Sequence, residues 1–387
     1  MKITHIEYFT LRCLVPDDYP KPTASFVREG SIFLRVFTDV GITGIGEPSP
    51  YGAPIKDMVK ILKDTLIPNW VGCDPLDIEK LTLQYNIGVG YGNVGYNALV
   101  AGFSQALWDI YGKFENKPVF KLINPKSNGK IKAYASAGMW YDDTPLDEIV
   151  SEALKYLDEG FAAYKLRPET PAGAGNHLKR NLNPPKVKLK RFITLLQKIN
   201  MGTKGNLKMM VDAGCRLNFQ QTLYLSKAME ELNCSFLEEP IPRDYNEFSK
   251  LKKSSKTALA GGESLASKSQ FMPWIENKSL DYLQPDANLA GVNEIIKIDK
   301  LAEANKLQIA LHNWTNDVNN AINVHLGAAL KTCKVVEANL TYNPLKNNLL
   351  EEGIILKDGE FRLSDKPGLG VVLNESALSQ YAFDPCL

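Results

Sequence analysis

The stretch 207–263 contains three short apolar runs, LKMMVDA (207–213), CSFLE (234–238) and TALAGG (257–262), and an acid stands within one position of the end of each. These acids are Asp212, Glu238 and Glu263. Polar segments with helical periodicity separate the runs. A short apolar run followed by an amphipathic helix is typical of a βα unit, so we expect parallel strands whose carboxyl ends share one edge.

The same pattern extends in both directions from this stretch. Asp286, His312 and Glu337 continue the series, so that 23 to 26 positions separate each polar residue from the next. The predicted strands are 131–136, 161–167, 207–213, 234–238, 257–262, 280–284, 307–312 and 334–338. Eight alternating units predict a closed parallel barrel, whose carboxyl rim carries the chemistry in such folds.

The first 125 residues and the end of the chain follow other patterns. Residues 3–14 and 31–38 are strand-like and 97–113 has helical periodicity, which predicts a small sheet packed on helices. In the tail, KDGE (357–360) is a hairpin signal between two apolar runs, and we expect this segment to join the first sheet.

The predicted fold class is therefore α/β, a modified TIM (β/α) barrel with an α+β capping domain formed by the N-terminal segment and the C-terminal tail. The expected divisions are 1–125 for the cap, 126–340 for the barrel and 341–387 for the returning segment.

Composition excludes several classes of partner. The formal charge is +1, which gives no field to attract nucleic acid or an anionic membrane. No apolar stretch is long enough to span a bilayer, and the start does not resemble a signal peptide, so we expect a cytoplasmic protein with a small-molecule substrate. With six scattered cysteines and four histidines, any metal would be held mainly by carboxylates, which favours a hard cation such as Mg²⁺.

Asp212, Glu238 and Glu263 are the candidate metal ligands. Three acids at neighbouring strand ends repel one another unless a positive charge lies between them. Three carboxylates that leave room for water and substrate oxygens suit Mg²⁺. The alternative is that each acid merely caps the following helix, but three acids at matched spacing favour the metal site.

Lys165 and Arg167 end the second predicted strand, in KLR. Residues two apart on a strand face the same side, so both cations would enter the barrel mouth, where they could receive a substrate carboxylate. The alternative is ordinary ion pairing.

Asp286 (in LQPDAN) and His312 (in ALHNW) end the sixth and seventh predicted strands. A carboxylate bonded to one imidazole nitrogen raises the basicity of the other, as a general base requires, although a lone histidine on a strand is more often a core residue. Glu337, in VVEAN, could hydrogen-bond the oxygen that gains charge in an enediolate, either protonated or bridged to the substrate.

Together with GITGIGE (41–47), ALWDIYGK (106–113) and PGLG (367–370), these residues make the chain resemble the mandelate racemase group of the enolase superfamily. The resemblance implies that Asp212, Glu238 and Glu263 bind Mg²⁺, that Asp286 and His312 form the general base, and that Lys165 meets the substrate carboxylate. It also implies a homo-oligomer, from dimer to octamer. The candidate cap residues for substrate contact are Tyr19, Lys21, Arg28, Ser49 and Tyr51.

Two positions depart from the group's pattern. Its second strand commonly ends Lys-x-Lys, whereas this chain has Arg167, which is a poor base because guanidinium stays protonated. Gly214 replaces a frequent Asn, so Arg216 is a candidate to supply the substrate contact instead.

We therefore expect an acid-sugar dehydratase that converts an aldonate or aldarate to a 2-keto-3-deoxy acid. The alternatives are a racemase or epimerase, a cycloisomerase, and a barrel that binds sugar acids without catalysis.

Overall fold

The computed structural model describes residues 1–13, 30–83, 94–138, 140, 144–168 and 189–385. Tyr19, Lys21 and Arg28, and most of the long segment after Arg167, lie outside these ranges.

The first unit is a three-stranded antiparallel sheet packed on helices. Its strands are β1 (Ile3–Leu11), β2 (Ser31–Thr38) and β3 (Thr43–Gly46), in the order β1-β2-β3. Val94–Phe114 lies so close to β3 that a Cβ on Gly46 would stand 1.9 Å from the Gly102 carbonyl oxygen, so only glycine permits this approach. The other helical segments here are Ile55–Ile61, the π-helical turn Leu62–Leu66, Ile67–Trp70, Ile78–Leu83 and Val119–Ile123.

The second unit is the predicted barrel, with all eight parallel strands present. They are β4 (Lys130–Gly138), β5 (Ala163–Leu166), β6 (Lys208–Asp212), β7 (Leu237–Glu238), β8 (Leu259–Gly261), β9 (Tyr282–Leu283), β10 (Gln308–Leu311) and β11 (Cys333–Asn339). Pairing of β11 with β4 closes the ring. The helices around it are Leu146–Asp158, Leu189–Gly202, Phe219–Glu231, Tyr245–Ser254, Lys268–Glu276, Ala287–Ala304 and Asp317–Ala329.

Side-chain alternation along the strands divides the barrel into a packed centre and a polar rim. A cluster of buried side chains fills the centre, namely Tyr134, Ala163, Met210, Phe236, Ala260 and Ala310. Two positions further along their strands come Ser136, Lys165, Asp212, Glu238, Gly262 and His312. Because residues two apart on a strand face the same side, the packing of the centre fixes which polar side chains enter the mouth.

The C-terminal tail forms the predicted hairpin, but the expected partner was wrong. Ile355–Lys357 and Glu360–Arg362 pair with each other, and the second of them pairs antiparallel with β4 of the barrel. The first sheet is reached only later, where Ala382 bridges to Leu11. The rest of the tail comprises the helices Pro344–Asn348 and Glu375–Gln380 and the paired strands Leu350–Glu352 and Val372–Leu373.

The two units are joined through buried hydrogen bonds. The Nδ1 atom of His325, in the helix Asp317–Ala329, accepts from the backbone N–H of Phe120 at 3.1 Å, and Nε2 lies 3.0 Å from the carbonyl oxygen of Leu369. Burial lowers the pKa of His325 to about 4, so the ring is neutral. No helix in the described ranges has the length and apolar character that a membrane crossing requires.

Candidate active site

The three predicted metal acids lie at the ends of neighbouring strands, and each is bonded to a cation of the protein. Asp212 Oδ2 is 2.9 Å from Arg167, and Glu238 Oε2 is 2.8 Å from Lys165 Nζ. Glu263 Oε1 is 2.9 Å from Arg243, which also pairs with Glu239. The sequence analysis predicted the acids and Lys165, but it missed Arg243.

These ion pairs bear on whether the acids could hold a metal. Within the described ranges, no three His, Cys, Asp or Glu side chains are grouped so as to enclose one ion. However, Glu238 is wholly buried and its Oε1 has no hydrogen-bond partner among those residues. Burial, opposed by Lys165 and reinforced by Asp212, raises the pKa of Glu238 to about 7. An oxygen-only donor set with an unsatisfied carboxylate oxygen fits a hard divalent cation, once the acids turn from their present partners.

Lys165 is completely buried at the centre of this charged group. Its Nζ bonds Glu337 Oε1 at 2.7 Å as well as Glu238. Glu337 also accepts from Trp314 Nε1 at 2.9 Å and from the Asn313 backbone N–H at 3.2 Å. Burial alone would raise the pKa of Glu337, but Lys165 and His312 outweigh it and hold the value at about 2. This environment favours the ionised form and argues against the protonated alternative.

Arg167 is held in a position that does not suit a base. Its guanidinium lies 4.4 Å from the centre of the Trp314 ring and pairs with Asp212. Burial opposes its charge, but the attraction of Asp212 prevails and raises the pKa of Arg167 further. Arg167 therefore remains protonated, as its residue type predicts.

The Asp286–His312 pair forms the opposite side of the mouth. Asp286 Oδ2 is 2.7 Å from His312 Nδ1, and Asp286 Oδ1 accepts from the backbone N–H of Asn288 at 2.8 Å. The carboxylate keeps Nδ1 protonated, so Nε2, 3.3 Å from Glu263, is the nitrogen that exchanges a proton. Burial lowers the pKa of His312, but Glu263 and Asp286 outweigh it and raise the value to about 10. A cation held by Glu263 would offset the contribution of that carboxylate and free Nε2 to accept a proton.

Of the predicted cap residues, Ser49 and Tyr51 fall within the described ranges. The hydroxyl of Tyr51 lies 3.1 Å from His312 Nε2, so this residue reaches the dyad. Ser49 is buried, and its backbone forms a reciprocal pair with the Asn288 side chain, N–H to Oδ1 at 2.8 Å and Nδ2 to carbonyl oxygen at 3.0 Å. This pair fastens the cap loop, the segment of the first unit that carries Ser49 and Tyr51, beside the Asp286–His312 dyad.

Arg216 is partly buried beside Gly214. Its Nε atom stands 3.7 Å from the position that a Cβ on Gly214 would occupy. The Arg216 side chain thus lies next to the space that a larger residue at position 214 would fill.

Both parts of the chain match known families. Residues 148–377 match the enolase C-terminal domain-like family, and residues 19–124 match the N-terminal domain of the mandelate racemase / muconate lactonizing enzyme family.

Several named proteins are similar over most of the chain. It is 28% identical to an arabinonate dehydratase of Saccharolobus solfataricus, covering 90% of each chain. It is 29% identical to a D-galactonate dehydratase of Pectobacterium atrosepticum, covering 89% of each. Among solved structures, a member of the enolase superfamily from Polaromonas sp. JS666 has a TM-score of 0.84 at 24% identity, covering 100% of this chain and 98% of that one. This last likeness bears on the fold alone.

Proposed function

The chain belongs to the mandelate racemase / muconate lactonizing enzyme family, and from this premise we propose that it is a hydro-lyase that dehydrates an acid sugar. The observation that carries the proposal is the 2.7 Å hydrogen bond between Asp286 and His312. This pair lies on the side of the barrel mouth opposite the acids and Lys165. Relatives named as dehydratases of arabinonate, galactonate and xylonate support the substrate class.

The proposed reaction removes water from C2 and C3. His312 Nε2 takes the α-proton, and the carboxylate becomes an enediolate. His312 returns a proton to the β-hydroxyl, which leaves as water, and the resulting enol tautomerises to a 2-keto-3-deoxy acid. Asp286 orients the imidazole through Nδ1, and Lys165 supplies positive charge beside the substrate carboxylate.

Family membership generally implies a divalent metal, and we propose Mg²⁺ held by Asp212, Glu238 and Glu263. When bound, such an ion stabilises the charge that develops on the carboxylate oxygens. Lys165 assists from within the barrel, where its low exposure strengthens its electrostatic effect, and Glu337 holds the Lys165 ammonium in place.

Arg167 favours this one-base elimination over a racemase. Racemisation by two bases needs a proton acceptor on the face opposite His312, and Arg167 is protonated there and bonded to Asp212. A non-catalytic binding barrel would not require the Asp286–His312 pair. We therefore expect wild-type enzyme to show no racemase activity on simple 2-hydroxy acids.

The test is a screen of arabinonate, galactonate, xylonate and gluconate for 2-keto acid formation. Chelation should abolish turnover and Mg²⁺ should restore it. Full activity in metal-free buffer would refute the carboxylate site, and α-proton exchange in D₂O without dehydration would favour an epimerase.

A further inference from the structure

One interior side chain of the barrel has no part in the site described above. Gln284 follows β9 on the sixth strand of the barrel, and its backbone N–H continues the ladder by donating to the Gly261 carbonyl oxygen at 2.9 Å. Tyr282, two residues earlier, packs against Phe236 at the barrel centre, with ring centroids 5.2 Å apart. Because alternate residues face the same side, Gln284 also faces the interior.

The layer of the barrel to which Gln284 belongs follows from the inward side chains on the second, fourth and eighth strands. Inward side chains of such barrels form layers of four, contributed by alternate strands. Lys165 on the second strand bonds both Glu238 on the fourth and Glu337 on the eighth, so these three share a layer. The sixth strand supplies the remaining member, and the alternation assigns that place to Gln284, opposite Lys165.

The Gln284 carboxamide is fully buried and unsatisfied. Its exposed fraction is 0%, and neither Nε2 nor Oε1 has a hydrogen-bond partner among the described residues. Buried polar groups are nearly always bonded, and an orphaned amide is costly to the fold. In this layer Lys165 pairs with both Glu238 and Glu337, whereas the Gln284 amide forms no hydrogen bond with any described residue.

The next layer toward the mouth places no side chain of the fifth strand over the amide. The corresponding residue of that strand is Gly262, and a Cβ built on it would meet Phe271 outside the barrel at 2.5 Å. His312, on the adjacent seventh strand, belongs to this next layer, two positions after Ala310 of the barrel centre.

We propose that Gln284 is a substrate-binding residue whose carboxamide hydrogen-bonds a hydroxyl at the reacting end of the acid sugar. A carboxamide offers one donor group and one acceptor, which matches a hydroxyl, whereas a carboxylate only accepts. Lys165, the cation of the layer, recognises the carboxylate end, and Gln284 recognises the neutral oxygen on C2 or C3 next to His312. This inference rests on the proposed function.

The test replaces Gln284 by Met, which keeps the side-chain volume and removes both polar groups. The control is Gln308→Met, at the exposed end of the neighbouring strand β10. With the best substrate of the screen, Gln284→Met should lower kcat/KM about 10- to 100-fold and the control should not. The 2-deoxy and 3-deoxy acids then serve as competitive inhibitors. One of them lacks the hydroxyl that Gln284 bonds, and its inhibition constant should be the same in wild type and variant. The other analogue keeps that hydroxyl, so its inhibition constant should rise in the variant.

A second measurement does not depend on turnover. Without ligand, the unfolding temperature of Gln284→Met should equal or exceed that of wild type, because no protein hydrogen bond is lost. A fall of several degrees, or unchanged kcat/KM and inhibition constants, would overturn the assignment and make Gln284 a structural amide. Failure of the proposed function is distinct, since wild-type protein would then produce no 2-keto acid from any acid sugar.

Discussion

The two sides of the barrel mouth hold their acids in different ways. On the side of the second to fifth strands, Asp212 and Glu263 are bonded to arginines and Glu238 to Lys165. On the side of the sixth and seventh strands, Asp286 bonds His312 through Oδ2, while neutral donors hold its Oδ1, the Asn288 backbone N–H at 2.8 Å and Asn319 Nδ2 at 3.4 Å. A side chain held by charge can exchange one cation for another, whereas one held by neutral donors keeps its orientation whatever cation is present.

The neutral side is also the side connected to the cap. Asn319 Oδ1 accepts from Gln105 Nε2 at 2.9 Å, and Gln105 Oε1 accepts from the Glu47 backbone N–H at 3.0 Å. All three residues are fully buried. The proposed general base is therefore oriented by a hydrogen-bonded chain that continues into the first unit, whereas the acids of the proposed metal site are held by ion pairs that a bound cation could replace.

The largest effect is expected from removing the base itself. His312→Asn should abolish both α-proton exchange in D₂O and dehydration, lowering kcat by about 10³- to 10⁴-fold, because the variant lacks the proposed general base. Metal binding, measured by calorimetry, should persist since the acid side is untouched. Residual exchange at the wild-type rate would show that the base lies elsewhere.

Removing a cation from the acid side should affect stability instead. Arg243→Met leaves Glu239 and Glu263 without their shared partner, and the free energy of unfolding should fall by about 2 to 3 kcal/mol in chelator. Mg²⁺ should restore more stability to this variant than to wild type, because Glu263 is released. The exposed Lys250–Glu247 pair provides the control, since Lys250→Met should leave the free energy of unfolding nearly unchanged. Equal costs for both variants would contradict the comparison.

A somewhat smaller effect is expected for the pH dependence of stability, through His325 at the junction of the two units. His325 has a pKa of about 4 in the fold and an ordinary value near 6.5 when unfolded, so the unfolded chain binds the extra proton between these values. Stability should thus fall by about 2 kcal/mol from pH 7 to pH 5 on account of this residue. Denaturant unfolding at both pH values should show a smaller fall for His325→Gln, whereas exposed His5→Gln should match wild type.

Much of this arrangement is encoded in local sequence. The eight apolar runs predict the barrel because strand and helix periodicities are local, and their spacing places Asp286 and His312 at one rim. The partner of the C-terminal hairpin was not predictable, since a turn signal such as KDGE specifies pairing within the hairpin and nothing beyond it. Arg243 and Trp314 were missed because both lie in the irregular segments after strand ends, where periodicity does not indicate which side chain turns toward the mouth.

The smallest expected effect concerns the cap loop beside the dyad. Asn288→Ala removes both bonds to Ser49 but keeps the backbone N–H that supports Asp286, so it separates the cap from the base. The value of kcat/KM should fall about 10-fold, mainly through KM, because Tyr51 is less firmly positioned.

The control for this variant is Asn293, on the same helix, whose Oδ1 accepts from the indole of Trp108 in the cap at 2.7 Å. Asn293→Ala also removes one bond between the units but leaves the Ser49–Asn288 pair intact, so KM should stay near the wild-type value. Equal losses of kcat/KM in the two variants would mean that the Ser49–Asn288 pair supports the fold. A loss in kcat alone for Asn288→Ala would mean that the pair supports the base. Either result would contradict a role in fitting the cap over the substrate. A rise in KM confined to Asn288→Ala would show that substrate affinity depends on the cap, while the base depends on donors within the barrel.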